Sequence, residues 1–245
     1  MSYWSYSRIN TYDICPRKYY YNYVVHMIKE VDNSESNPML LGKTLGFMLQ
    51  YNDKIAYDYY FSELNVITEE GVIWLEVLKT LAKKIKPLLT EHGEFEQKVM
   101  LDDFVGYIDW ISKDKDIMFD FKLTSNSKYY EDSPQLALYA HALGYDPKVK
   151  AYLCVRRPTI NYSLKTWSER GQDMIRQAEE SKLEILPCTI TTKMAWHEFM
   201  SKVSSLKHYE YEFTLNPINA KDSYFPKRTT AICKSCEYKD YCRRD

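Results

Sequence analysis

The sequence has no apolar run approaching the ~18 residues that a membrane-spanning helix needs, which excludes that class of membrane protein. Its first residues, MSYWSYSRINTYD, have neither the apolar core of a secretory signal nor a transit-peptide composition, so a cytoplasmic, intracellular location is expected. Nor is there an excess of either charge. The 33 Lys and Arg against 34 Asp and Glu leave a net charge of −1, so no global field recruits a polyanion, and any nucleic-acid contact must rest on local basic surface. GxGxxG and GxxxxGK[ST] phosphate loops are absent, as are internal repeats and low-complexity tracts. Histidine is scarce, and His26, His92, His141, His197 and His208 show no ligand spacing among themselves.

What is present suffices for a folded enzyme-sized chain. The 245 residues are 45% hydrophobic, enough for a sizeable core in one large domain or two small ones. Tyrosine is over-used, at 23 residues, and clusters in RKYYYNYV (17–24). That stretch reads either as a base-stacking surface or as a helix burying an aromatic stripe. In a reducing compartment the six cysteines read as thiols or metal ligands before disulfides.

The apolar spacing over 4–28 is helical, with Pro16 marking a break or a new first turn. A polar loop is expected over 30–38, and two or three helices between Leu40 and His92. Period-two alternation then predicts strands in EFEQKVM, FVGYIDWI and DIMFDFK, the last two forming an antiparallel hairpin across SKDK. Ser133 and Pro134 start a helix, QLALYAHAL, that stops at Gly144. VKAYLCV and INYSLKT (160–166) read as two more strands. Ser168 reads as the cap of a helix running to about Leu183, with another helix over 193–208. The expected fold is a single α/β domain over 1–245 built on one mixed sheet. It comprises a helical segment with the first cysteine (1–31), a second helical segment (39–92), the sheet core (93–166), and C-terminal helices with a Cys-rich tail (167–245).

The chemistry candidate is the hairpin GYIDWISKDKDIMFDFK (106–122). Asp120 and Lys122 are two residues apart on a strand and share a face, while Phe119, Phe121 and Leu123 take the other. With Asp114 and Lys115 as a two-residue loop, Asp109 falls opposite Asp120; another loop would shift that register. Two adjacent carboxylates are most readily tolerated around a divalent cation, and oxygen ligands favour Mg²⁺ or Mn²⁺. The alternative is a hairpin whose polar face is merely solvated.

These pieces, in this order, resemble the PD-(D/E)XK nuclease superfamily, specifically its RecB-like branch, which includes the CRISPR-associated RecB-type exonucleases and the AddB nuclease domain. That branch places a G-x-x-D strand before a D-x-K strand, matched here by Gly106, Asp109, Asp120 and Lys122, and then a Q-x-x-x-Y helix, matched by Gln135 and Tyr139. The resemblance implies a restriction-endonuclease-like sheet and a Mg- or Mn-dependent deoxyribonuclease, an exonuclease, in repair or recombination. DNA, as single strands or duplex ends, is the implied partner. Metal ligation is implied for Asp109, Asp120 and the backbone carbonyl of Phe121, with Lys122 orienting water or stabilising charge, Gln135 supporting the centre and Tyr139 approaching DNA. Without the resemblance, QLALYAHAL is a core helix and Tyr139 packing. One element departs: the branch's G-x-x-x-H becomes GKTLG, with Gly46 where a ligand histidine is expected. Glu96 is a supplementary carboxylate or an exposed strand residue. The departure supports a second expectation, a catalytically weak or inactive DNA-binding or assembly module.

The chain also has CKSCEYKDYC (233–242), three cysteines where a tetrahedral metal site wants four. In the iron-sulfur members of the branch, a Cys-Pro near the N-terminus joins a C-x-x-C-x-x-x-x-x-C tail. Cys15, Cys233, Cys236 and Cys242 match that set, which implies a 4Fe-4S cluster. Spacing alone leaves zinc and iron-sulfur open. Either would act as a staple between distant ends of the chain, with a redox role as the alternative. Cys154 and Cys188 read as inert thiols.

Overall fold

The computed structural model describes every residue except 1, 2, 30, 31, 33, 65, 90, 91, 230–232, 235 and 245, so part of the loop expected over 30–38 lies outside the described residues. The sheet has the order β1-β2-β3-β4-β5, with β1 (Glu94–Leu101), β2 (Phe104–Ile111), β3 (Ile117–Thr124), β4 (Val149–Arg156) and β5 (Leu183–Pro187). Only the β3–β4 pair is parallel. Its connection carries helix α6 (Gln135–Leu143), as a parallel crossover requires.

Two cores sandwich this sheet, as expected for an α/β fold. One joins Leu136, Leu138 and Tyr139 of α6 to α1 (Tyr6–Ile14), α2 (Pro16–Tyr19) and α8 (Thr192–Leu215), over Ile108, Met118 and Tyr152. The other joins α3 (Pro38–Gln50), α4 (Asp53–Ser62), α5 (Glu69–Ile85) and α7 (Trp167–Glu180), over Trp110, Phe119 and Leu153. The tyrosine-rich stretch belongs to the first core. Tyr19, Tyr20 and Tyr21 are buried, and Tyr19 stacks on Phe225 at 6.1 Å, so aromatic burial rather than base stacking accounts for it. Pro16 opens α2, and Cys15 is at once the C-cap of α1 and the N-cap of α2.

The fifth strand is not where alternation put it. Over 160–166 turn chemistry prevails: Asn161 Oδ1 accepts from Ser163 N–H at 3.1 Å, Leu164 N–H donates to Asn161 O at 3.2 Å, and Tyr162 is exposed. The sheet therefore extends past residue 166, to β5 beyond α7. Thr166, not Ser168, caps α7, in a reciprocal capping box with Glu169. The expected helix over 193–208 is the longer α8.

Helix α3 faces the site. Asn37 caps it by accepting from Met39 and Leu40 N–H, and Leu41, Leu45, Met48 and Leu49 bury one side. Gly42 and Gly46 lie along its edge, half-buried. A glycine inside a helix costs about 1 kcal/mol relative to alanine, yet a Cβ at either position would meet no atom within 4 Å. No packing within the described chain calls for them.

Candidate active site

The β2–β3 hairpin closes through Ser112 N–H to Ile117 O at 2.9 Å and Lys115 N–H to Ser112 O at 2.8 Å. The loop thus covers 113–116 instead of the expected two residues, and Lys115 takes φ +61°. Both loops give one register. Trp110 pairs with Phe119 and Ile111 with Met118, and the next step sets Asp109 opposite Asp120. On the other side Glu96 lies between the pairs Phe95↔Trp110 and Gln97↔Ile108, which sets it opposite Asp109. Three carboxylates therefore form a row across three adjacent strands.

Regular alternation fails at this row. Ile108 and Trp110 are two residues apart but enter opposite cores, and Phe95 and Val99 of the facing strand do the same. Glu96 carries the irregularity at φ +52°, a left-handed conformation uncommon for a residue with a side chain. On β2 the described ladder to β3 stops at Trp110, and the Asp109 side chain takes over: its Oδ2 accepts from Phe121 N–H at 2.7 Å. A strand residue's amide and carbonyl project to the same side, so the Phe121 carbonyl also faces β2.

Asp120 is 1% exposed, and its Oδ2 pairs with Lys122 Nζ at 2.6 Å. Lys122 Nζ also donates to Gln135 Oε1 at 3.4 Å, and Gln135 Nε2 to Tyr139 Oη at 2.8 Å. One turn of α6 thus completes a chain from carboxylate to phenol. Three features escape a reading of the sequence. The Tyr130 ring lies 5.3 Å from Lys122 Nζ, Lys43 lines the same cavity, and Gly106 lies under the Tyr139 ring, where a Cβ would come within 2.3 Å of Tyr139 Cε1. Only proximity in the fold reveals the first two. The third has a signal, a glycine inside a strand, which marks close approach by another group.

Burial, followed by the Asp120 charge, holds the Asp109 carboxyl well above its usual range, against the pull of Lys122 and the Phe121 amide. Burial also raises Asp120, opposed by Lys122. For Lys122, burial alone would lower the pKa, but the Asp120 and Asp109 carboxylates reverse that and raise it. Burial pushes the Tyr139 phenol up to about 12. Burial and Asp120 raise Glu96, with Lys43 opposing. Two carboxylates beside a single ammonium leave acid charge in excess, which fits a cation between Asp109 and Asp120. A cavity of about 670 Å³ opens onto this wall, lined by Glu96, Asp109, Phe121 and Lys122 on one side and Gly42, Lys43 and Gly46 on the other.

A second cavity, about 350 Å³, brings Cys15, Cys233, Cys236 and Cys242 together among Arg17, Lys18, Lys227 and Arg228. Tyr238, fully buried against Tyr21, and the Lys18–Glu237 ion pair at 2.9 Å pin the tail to α2 and the turn that follows it. Burial raises the Cys236 and Cys242 thiols. Cys154 is buried in β4, its thiol pushed up to about 12 by burial, and Cys188 is half-buried. Among the described residues no three His, Cys, Asp or Glu side chains are gathered closely enough to hold a single ion, and His141 instead stacks on Trp196 at 4.6 Å. No helix is long and apolar enough to cross a membrane, among the described residues.

Residues 3–243 match a family model of the PD-(D/E)XK nuclease superfamily. Among solved structures, the chain is similar to a protein from Eubacterium rectale provisionally described as an exonuclease, with a TM-score of 0.59 over 86% of this chain and 82% of that one. At 9% identity that likeness concerns the fold. No curated protein matches the chain.

Proposed function

The chain belongs to the PD-(D/E)XK nuclease superfamily, and from that premise we propose that it is a Mg²⁺- or Mn²⁺-dependent DNA exonuclease of the RecB-like iron-sulfur branch. The observation that carries this reading is the Asp109–Asp120–Lys122 wall, whose Asp109 and Lys122 line a cavity of about 670 Å³ and whose Lys122 is joined through Gln135 to Tyr139.

Asp109, Asp120 and the Phe121 carbonyl would hold the divalent ion. When bound, it polarises a phosphoryl oxygen and lowers the pKa of coordinated water. The Phe121 amide fixes the Asp109 carboxylate, leaving one oxygen for the ion. Lys122 is held as an ammonium by the two aspartates, so its part is to donate hydrogen bonds and to stabilise negative charge as the phosphorus gains a ligand. Gln135 accepts from Lys122 and donates to Tyr139, which orients both. DNA enters along the cavity, and Tyr139, buried outside its lining, acts through Gln135.

Cys15, Cys233, Cys236 and Cys242 would hold a 4Fe-4S cluster. One cavity lined by all four thiols, with cations to offset thiolate charge, supports a thiolate-held group there, and the choice of iron-sulfur over zinc rests on the branch's cysteine spacing. The cluster would act as a staple.

The test is a time course on end-labelled linear DNA and circular DNA, with and without Mn²⁺, using anaerobically purified protein. Linear DNA that shortens while circles stay intact is the expected result. DNA cleavage by an Asp120→Ala protein would sink the site assignment. Gly46, which offers no ligand atom, favours a second reading, a DNA-binding or assembly module without catalysis. Affinity for DNA with no metal-dependent hydrolysis over a broad substrate set would select it.

A further inference from the structure

We propose that the Gly42–Lys43–Gly46 face of α3 is a seat for the sugar–phosphate backbone of the substrate strand, with Lys43 holding a phosphate across the cavity from Asp109 and Lys122. The proposal rests on the nuclease reading above and adds the wall that reading leaves unassigned.

The cavity has two sides. The sheet side carries Glu96, Asp109 and Lys122, and the helix side carries Gly42, Lys43 and Gly46. Gly42 and Gly46 are one turn apart and share a face, while Leu41, Leu45 and Met48, each at most 1% exposed, lock the rotation of the helix. That packing holds the adjoining bare strip against the cavity. Its glycines weaken the helix, and nothing within 4 Å occupies the space a Cβ would take at either position. A requirement for bare backbone then comes from what enters the cavity, since glycine permits the closest approach.

Charge identifies the occupant. Lys43 and Lys122 are the cations among the described residues lining the cavity. Lys122 is committed to Asp120 and Gln135. Lys43 is exposed on α3 and acts on Glu96 across the cavity. The carboxylate wall repels a phosphate that is not shielded by a cation, so an ammonium on the facing helix decides on which side a polyanion's backbone lies.

The experiment measures binding of an end-labelled single-stranded oligonucleotide by fluorescence anisotropy across a salt series. It uses the full chain, with Ca²⁺ in place of Mg²⁺ and intact DNA verified on a gel. Lys43→Ala should weaken binding about tenfold and reduce the salt slope by about 1, while Lys43→Arg keeps both near wild type. Gly46→Leu should weaken binding at least as much with no fall in Tm, because a Cβ there meets no atom within 4 Å and leucine favours the helix more than glycine does. Unchanged affinity and salt slope in these variants, beside a wild type that binds and cuts, would overturn the seat and leave the nuclease reading standing. A wild type that neither binds nor cuts would overturn both. Should Gly46→Leu lower Tm, the Lys43→Ala salt slope decides alone, since a helix-packing defect does not change the number of ions released.

Discussion

The carboxylate wall and the cysteine cavity are assembled in opposite ways. The first comes from neighbours in sequence: a hairpin supplies Asp109, Asp120 and Lys122, and the next helix supplies Gln135 and Tyr139. The second joins Cys15 to a tail that begins at Cys233, through side-chain packing such as Tyr238 on Tyr21. The wall is built with its hydrogen bonds largely in place and two carboxylates beside one ammonium. The cavity gathers thiols and cations from both end regions of the described chain. A site made of local structure can tolerate excess charge because the sheet holds it there. A site made of distant pieces depends on packing such as Tyr238 on Tyr21 to bring them together.

If the two are separable, changes in one should leave the other intact. The largest effect belongs to Asp120→Ala, which should lower the hydrolysis rate by about a thousandfold or more through loss of a metal ligand. Iron content and visible absorption should stay at wild-type levels, and a joint loss would show that the two sites are one cooperative unit. Cys15→Ser should do the reverse. Absorption and labile sulfide disappear, stability falls by about 3 to 4 kcal/mol as a long-range closure is lost, and cleavage per folded molecule at low temperature persists. Zinc without iron in the wild type would overturn the cluster.

Gly106→Ala sharpens the comparison within the wall. The added methyl meets the Tyr139 ring, and overpacking of this kind costs about 1 to 3 kcal/mol. Chemical denaturation should show that loss, with cleavage slowed because Tyr139 and Gln135 move together. Asp109→Asn has the smallest expected effect and the opposite sign. In the metal-free protein the folded-state pKa of Asp109 is raised, so the folded state keeps a proton that the unfolded chain releases, and stability falls as pH rises above the ordinary carboxylate range. Asparagine removes that slope while keeping an oxygen for the Phe121 amide. Its metal-free Tm at neutral pH should rise by about 2–4 °C per kcal/mol recovered. An unchanged pH slope in calorimetry would show that Asp109 is not the strained group.

The hairpin was legible in the sequence because strand alternation and a charged turn bracket its register. Even a longer loop over 113–116 leaves Asp109 opposite Asp120, since a residue added on each side preserves the pairing. Tyr139 was legible only through the family pattern, because a buried tyrosine on an apolar helix looks like packing, and it is both buried and bonded to Gln135. Strand β5 was missed because five residues show too little periodicity, and 160–166 was misread because Asn161 turn bonds override alternation. Glu96 was left between two roles. It is exposed, yet a left-handed backbone at that residue sets it in the cavity wall, and no sequence pattern announces a positive φ at glutamate.

Strand β3 is paired antiparallel on one side and parallel on the other, and that asymmetry has a consequence in time. A hairpin forms in about 1–10 μs, whereas parallel pairing waits for the α6 crossover to close. During synthesis Asp109 and Asp120 can come together early, while Gln135, Tyr139 and the β4 backing of Lys122 arrive later, and Cys233 to Cys242 last of all. The order of assembly thus brings the two aspartates together before Gln135, Tyr139 and strand β4 join them, so that a partly built molecule carries the acids without their supports.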